Sequence, residues 1–394
     1  MCNIWAILPD NSIAWVILVA DLSNTGTLSG ISSPTGVAPV LQLHPTRRCN
    51  LACAHCYTSS SPQVSEQLGL EMLTACMQDA ALLGYQQLAV SGGEPLLYPE
   101  LPSLLSRARE LGMLTSITTN GMLATSQRWA KICHLLDVVA VSIDGTPQEH
   151  DLMRGRQGAY AKTLANLSVI RDSGVGFGFI FTLTQHNVDS LEFVVKLAAQ
   201  QGARSVQVHP LTLYGRAADT LPDARPDTLE LLVAIAEATR LGEQLGVAVH
   251  VDAISLQQLH HYRHHLVPAL PVRQVTEVAP VLIVQADGAV VPLTHDVNQA
   301  LWLGSLYDAP LGTLAQAWML SGKANKLVDA CEQTWQHLEE RHQVGNMAAM
   351  NSMPGSDNGN EVTPAAVYWY DEVAAISRQH AFVRPVHQLH VVNF

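Results

Sequence analysis

Val40-Leu41-Gln42-Leu43-His44-Pro45-Thr46-Arg47-Arg48-Cys49-Asn50-Leu51-Ala52-Cys53-Ala54-His55-Cys56-Tyr57 is a short apolar run that leads straight into a loop with three cysteines. The same grammar repeats downstream. Short β-branched and apolar runs at 88–91, 114–118, 138–143, 176–183 and 205–209 read as strands like the first, 40–44. Longer segments with helical periodicity separate them at 68–83, 100–111, 127–136, 160–173, 188–200 and 227–245. Six strand-and-helix units in a row predict an α/β fold of parallel strands joined by helical crossovers. That fold is either an open doubly wound sheet or an incomplete eight-unit barrel. In both, the chemistry sits beyond the carboxyl ends of the strands.

Each distinctive motif falls at such an end. The cysteines follow the first strand, and Ser91-Gly92-Gly93-Glu94-Pro95 closes the second. Thr118-Thr119-Asn120-Gly121 closes the third, and Ser142-Ile143-Asp144-Gly145 the fourth. His209-Pro210, with Tyr214-Gly215-Arg216-Ala217 just beyond, ends the sixth. Three thiolates on one tight loop can hold three irons of a cubane cluster and leave the fourth without a protein ligand. The competing metal reading is zinc on the same cysteines with His55 or His44 as fourth ligand.

Composition narrows the classes. In 394 residues, 48% hydrophobic and 14% charged, there is material for one large core with appendages or for two domains. Lysine and arginine number 22 against 34 aspartates and glutamates, so 22 − 34 = −12, which excludes the phosphate-binding electrostatics of a nucleic-acid partner. Seven cysteines, at 2, 49, 53, 56, 76, 133 and 331, do not make a secreted disulfide framework and place the protein in a reducing cytoplasm. The apolar stretch 13–20 is too short to span a bilayer, so no membrane segment is expected.

Cys49-x₃-Cys53-x₂-Cys56 after a first strand, with Gly92-Gly93-Glu94-Pro95 after the second, resembles the radical S-adenosylmethionine (SAM) superfamily. The closest likeness is to its SPASM/Twitch-type branch of peptide and cofactor maturases. The resemblance covers about 40–217 by motif and continues more loosely to about 320. It implies an incomplete (β/α)₆ TIM-like barrel with a small C-terminal α+β hairpin-and-helix extension. It also implies one 4Fe-4S cluster on Cys49, Cys53 and Cys56 that, once reduced, cleaves SAM to a hydrogen-abstracting 5′-deoxyadenosyl radical. An electron donor such as flavodoxin or ferredoxin follows. The expected substrate is a ribosomally made peptide, with a haem or tetrapyrrole precursor as the alternative. The reading of a different class is a non-catalytic zinc or iron-sulfur protein.

Carried onto this chain, the resemblance implies a SAM pocket of Tyr57, Gly92, Gly93, Glu94, Asn120, Ser142, Asp144 and Arg154. Gly92 and Gly93 leave room for a ligand against the backbone, and Glu94 offers a carboxylate to the ammonium of the methionine moiety. Ser142 and Asp144 leave the same side of a strand, towards the ribose or the methionine carboxylate. Asp144-Gly145 and Asn120-Gly121 are equally turn dipeptides. Arg154, in His150-Asp151-x₂-Arg154-Gly155, can pair with an acid or lie in a surface loop. Arg216 belongs near the adenine or is merely solvated. Tyr57 can pack near adenine.

The expected domains are an N-terminal arm and linker (1–39), the partial barrel (40–255), a SPASM/Twitch-like domain (256–343) and a mobile linker and tail (344–394). In the third, two apolar runs around Asp287-Gly288 read as a hairpin. Leu293 and Thr294 stand where an auxiliary cluster would have a cysteine, so one cluster is expected. The run His260-His261-Tyr262-Arg263-His264-His265 has no recognised metal spacing, and Cys76, Cys133 and Cys331 read as buried core.

Overall fold

The computed structural model describes residues 38–255, 263–264, 266–351, 366–367 and 369–379. Most of the N-terminal arm, four residues of the 260–265 histidine run and most of the C-terminal tail lie outside these.

The strands form where the apolar runs predicted them: β1 Val40–Leu43, β2 Gln87–Val90, β3 Leu114–Thr119, β4 Val138–Ser142, β5 Gly176–Leu183 and β6 Ser205–Pro210. The crossover helices include α1 Leu70–Leu82 and α2 Leu101–Glu110. Leu73, Cys76, Met77 and Ala80 of α1, and Leu101, Leu104, Leu105 and Ala108 of α2, are buried at the three-and-four spacing of one helical face. Of the helix expected over 127–136 only two pieces form, α3 Ser126–Trp129 and a 3₁₀ turn Cys133–Leu135. Tertiary ties draw them apart, because the Trp129 indole donates to Ser173 and the Leu135 carbonyl accepts from Thr115.

A helix not anticipated is α4 Pro147–Arg154, and its signal was in the sequence. Thr146 and Glu149 form a capping box with proline at the first helical position. The helices that follow are α5 Ala159–Asp172, α6 Leu191–Gln201, α7 Arg216–Thr220 and α8 Thr228–Leu245.

The sheet is larger than six strands. Strand β7 Ala248–Val251 pairs in parallel with β6. After the short strand β8 Ile254–Ser255 comes the expected hairpin, β9 Val281–Val284 and β10 Ala289–Pro292. β9 pairs in parallel with β1, Val40 opposite Val281. The stretch read as a separate C-terminal domain therefore continues the barrel sheet. With β11 Gly304–Ser305 at one edge, the order is β11-β10-β9-β1-β2-β3-β4-β5-β6-β7, an unclosed α/β sheet. The chain then runs through helices Leu311–Leu320 and Lys323–Asn351, the latter reaching into the segment expected as linker, where Met347, Ala348, Ala349 and Met350 are all good helix formers. No helix among the described residues is long and apolar enough to cross a membrane.

The two faces of the sheet differ. Leu41, Leu43, Leu88, Val90, Ile117, Val139, Val141, Phe179, Phe181, Val206 and Val208 belong to the apolar core with the helices. The alternate positions are mixed: Val40, Ala89, Val138, Ala140 and Ile180 are apolar, whereas Gln42, Ser91, Thr118, Ser142, Thr182, Gln207 and His209, most of them towards the carboxyl ends, are polar. Parallel strands covered on both faces are usually apolar on both. Polar groups gathered at the carboxyl ends of this second face need hydrogen-bond partners.

Candidate active site

The cysteine loop has little regular structure of its own, and three neighbours fix its shape. On one side Gly93 N–H donates to the Thr46 carbonyl at 2.8 Å and Glu94 N–H to that of Arg48 at 3.0 Å. On a second, Ala54 N–H donates to the Met153 carbonyl at 2.9 Å, beside Gly155. On a third, Arg216 N–H donates to the Cys56 carbonyl at 2.9 Å, and its guanidinium donates to the carbonyls of Cys53 and Ser60, each at 2.8 Å. Arg216 is thus a clamp on the loop rather than a solvated side chain.

The glycines are explained by the same approach. A Cβ on Gly93 would lie 2.2 Å from the Arg48 carbonyl oxygen, and one on Gly92 2.8 Å from the Cβ of His44. Packing of the chain against itself is thus one reason these two residues are small, and both also line the cleft described next.

Cys49 and Cys53 are buried, Cys56 is half-buried, and all three are free thiols. They line one cleft with Glu94, Asn120, Ser142 and Arg154. Each sulfur meets a nitrogen donor: Cys49 the Asn120 amide at 3.9 Å, Cys53 the Arg154 guanidinium at 3.8 Å, and Cys56 the Ser60 N–H at 3.3 Å. Burial pushes the thiols of Cys49 and Cys53 up, so a metal must displace their protons.

Of the two candidate fourth ligands for zinc, His44 does not line this cleft, whereas His55 does, both its ring nitrogens lacking a hydrogen-bond partner. His44 Nε2 lies 2.9 Å from the Gln42 amide and 3.2 Å from the Tyr57 hydroxyl, while His55 Nε2 lies 3.9 Å from Asp144. Among the described residues no three His, Cys, Asp or Glu side chains converge on a single ion. A zinc site gathers its ligands within about 2.3 Å of one metal. A cubane presents a different iron to each thiolate, which suits this wider set.

Glu94 is buried and ties the ends of two strands together. Its Oε1 accepts from the Thr119 hydroxyl at 2.8 Å and Leu96 N–H at 3.1 Å, and its Oε2 accepts from Asn120 N–H at 2.9 Å. Burial pushes its carboxyl up while these hydrogen bonds hold it down. Oε2, with this single partner, keeps a further acceptor position, and Glu94 lines the cleft. Asn120 joins the loop through its amide, which donates to Asn50 at 2.9 Å.

Asp144 is placed otherwise than expected. It is fully buried, forms an ion pair with Arg154 at 2.6 Å and accepts from Thr182 N–H at 3.3 Å, and it does not line the cleft. Arg154, the C-terminal residue of α4, does line it, and its buried Nη2 has no hydrogen-bond partner.

Tyr57 spans two spaces. Its hydroxyl reaches His44 and, at 3.4 Å, Ser91, and its ring centroid is 4.4 Å from that of His295. Leu293, at φ 64°, turns the chain after β10 so that His295 stacks on His44 with centroids 5.0 Å apart. Burial lowers both histidines, His44 to about 3, so the stack is neutral at ordinary pH. A cavity of about 390 Å³ opens beside them, bounded also by the hairpin turn. On the second face of the sheet, His209 pairs with Asp252, which Gln207 also contacts, near buried His250. Neither Thr119 nor His295 was singled out from the sequence. Thr119 had a signal, adjacency to Asn120 at a strand end, but nothing short-range connects His295 to His44.

Residues 43–198 match the Radical SAM superfamily. The chain is 30% identical over 217 residues to the Fe-coproporphyrin III synthase of Methanosarcina barkeri (strain Fusaro / DSM 804), covering 54% of each. It is 32% identical over 228 residues to the PqqA peptide cyclase of Ruegeria pomeroyi (strain ATCC 700808 / DSM 15171 / DSS-3), covering 55% of this chain and 60% of that one. It therefore spans little more than half the length of these curated relatives. Streptococcus suis SuiB bound to S-adenosylmethionine is similar with a TM-score of 0.56 at 15% identity, covering 72% of this chain and 65% of that one, a likeness of fold.

Proposed function

We propose, from the match of residues 43–198 to the Radical SAM superfamily, that this chain is an enzyme that binds one 4Fe-4S cluster on Cys49, Cys53 and Cys56, cleaves SAM and modifies a peptide. The observation that carries the reading is the shared cleft: three free thiols open onto Glu94, Asn120, Ser142 and Arg154, and among the described residues no three His, Cys, Asp or Glu side chains converge on a single ion. The reduced cluster would supply the electron that splits SAM into methionine and a 5′-deoxyadenosyl radical. The protein's part is to orient the cofactor. Glu94 takes the ammonium on its remaining Oε2 position, and Arg154 takes the carboxylate on Nη2, whose lack of a partner in a buried place calls for an anion. Ser142 and Asn120 supply neutral hydrogen bonds, and Tyr57 an apolar face for adenine. Asp144 acts through Arg154.

The polar ends of the second face and the cavity beside His295 are the proposed substrate space. Serine, threonine, glutamine and histidine on the inward strand positions suit the amides of a peptide better than the several carboxylates of a tetrapyrrole, which call for cations. The tetrapyrrole reading is retained on the 30% identity to an Fe-coproporphyrin III synthase. An electron donor such as flavodoxin or ferredoxin is required. Six free cysteines among the described residues suit a cytoplasmic location.

Anaerobic reconstitution followed by reductant and SAM tests the reading. The expected result is 5′-deoxyadenosine and about four irons per chain, the content of one such cluster. Zinc in the loop that iron cannot displace would refute it, and a cluster spectrum persisting after all three cysteines become alanine would refute the single-cluster assignment. Stimulation of 5′-deoxyadenosine release by a peptide encoded beside the gene, against stimulation by a porphyrin, separates the two substrate classes.

Glu94→Gln is expected to keep the cluster and weaken SAM roughly 10- to 150-fold, the worth of a charge-assisted hydrogen bond of about 1.5–3 kcal/mol. An equilibrium binding titration measures this. Unchanged affinity would confine Glu94 to bracing the turn.

A further inference from the structure

We infer that Arg154 and Asp144 form a charge pair that sets the reduction potential of the cluster through Cys53, a role distinct from holding SAM and resting on the cluster assignment above. The three sulfurs are not equivalent. Cys49 and Cys56 receive neutral donors, an amide and a backbone N–H, whereas Cys53 receives a guanidinium at 3.8 Å. That guanidinium is itself buried, its side chain 5% exposed, and its Nε is 2.6 Å from a carboxylate with no exposure at all. Asp144 is fixed in turn by the Thr182 N–H and by its own N–H, which donates to the His150 ring at 3.2 Å.

Reduction adds one negative charge to a cluster. A positive charge and a hydrogen bond at a ligating sulfur favour the reduced state, and a nearby negative charge opposes it. In a buried place both effects are stronger than in water. The pair therefore holds the potential between two extremes. Arg154 pulls it up, Asp144 trims that pull, and the opposite signs distinguish this arrangement from a merely structural ion pair. A structural pair would move both variants in one direction or neither.

The test is an EPR-monitored redox poise series on the anaerobically reconstituted full chain, with no SAM present so that cofactor binding does not enter. Asp144→Asn keeps the acceptor for Thr182 and leaves the guanidinium untrimmed, so it should favour the reduced state about tenfold, an upward shift of about 59 mV for one electron. Arg154→Gln should shift it downward by a similar factor. It also strands a buried carboxylate, so the double variant Arg154→Gln/Asp144→Asn provides a neutral pair that folds where the single change does not. Its potential should lie below that of Asp144→Asn by at least tenfold in the same ratio. Equal potentials in parent, Asp144→Asn and the double variant, with normal cluster spectra, would overturn the inference alone. A parent with no cluster spectrum would overturn the cluster assignment and this inference with it.

Discussion

Cys53→Ala should reduce 5′-deoxyadenosine formation to background, a loss of at least about 1,000-fold or roughly 4 kcal/mol in activation free energy. In the proposed cluster each of the three thiolates would serve one iron, and no three His, Cys, Asp or Glu side chains among the described residues converge on an alternative single-ion site. The same variant removes the acceptor of the Arg154 guanidinium, while Asp144 continues to neutralise that charge. The fold should therefore survive the change that ends activity, which chromatography of the nucleoside product and a thermal melt together would establish. Cys76→Ala is the matched control. Cys76 lies in the apolar face of α1, so its loss should cost about 1 kcal/mol of stability and leave product formation intact. Turnover by the Cys53 variant near the parent rate would remove this thiol from the cluster.

Gly215→Ala should prevent stable cluster incorporation although it changes no ligand. Gly215 sits at φ 62° and ψ −138°, a backbone conformation close to one reserved for glycine, and forcing another residue into it costs about 1–3 kcal/mol. The added Cβ would lie 2.1 Å from the Tyr57 carbonyl oxygen and 2.8 Å from that of Cys56, so the backbone of the cysteine loop must retreat. The retreat breaks the hydrogen bond from Arg216 N–H to Cys56 and misaligns the Arg216 guanidinium on Cys53 and Ser60. Iron content after reconstitution should fall to less than half that of the parent. Gly174→Ala, at φ 80° with open space around it, carries a positive-φ strain without the collision. If both variants retained full iron, the clamp would be dispensable.

The strand positions were legible because each parallel strand is an apolar run bounded by turn residues, and β5 lies where its pattern put it. Sites borne on consecutive motifs were legible for the same reason. The cysteines, Glu94 and Asn120 each close a strand, and adjacent strands bring them together. What could not be read were contacts made across the chain. Asp144 looked like a ligand from its place after β4, but its partner depends on α4 returning Arg154 over the strand end, and α4 itself was signalled only by a capping box. The hairpin at 281–292 was recognised locally, yet nothing local says that its first strand pairs with β1 and not with a sheet of its own. His295 shares that cause, since it meets His44 only because β9 lies beside β1.

That pairing has a consequence for the order of biosynthesis. β1 carries the three-cysteine loop at its end, but one of its two flanking strands, β9, is made long after it. A nascent chain shorter than the hairpin presents β1 as an open edge, with the cysteine loop lacking the His295 stack against Tyr57. Contacts so distant in sequence form late, because the intervening loop must close before they reward it. Under the proposed cluster assignment, iron loading should accordingly follow emergence of the hairpin from the ribosome, and a cell would deliver clusters to a chain in which β9 already flanks β1.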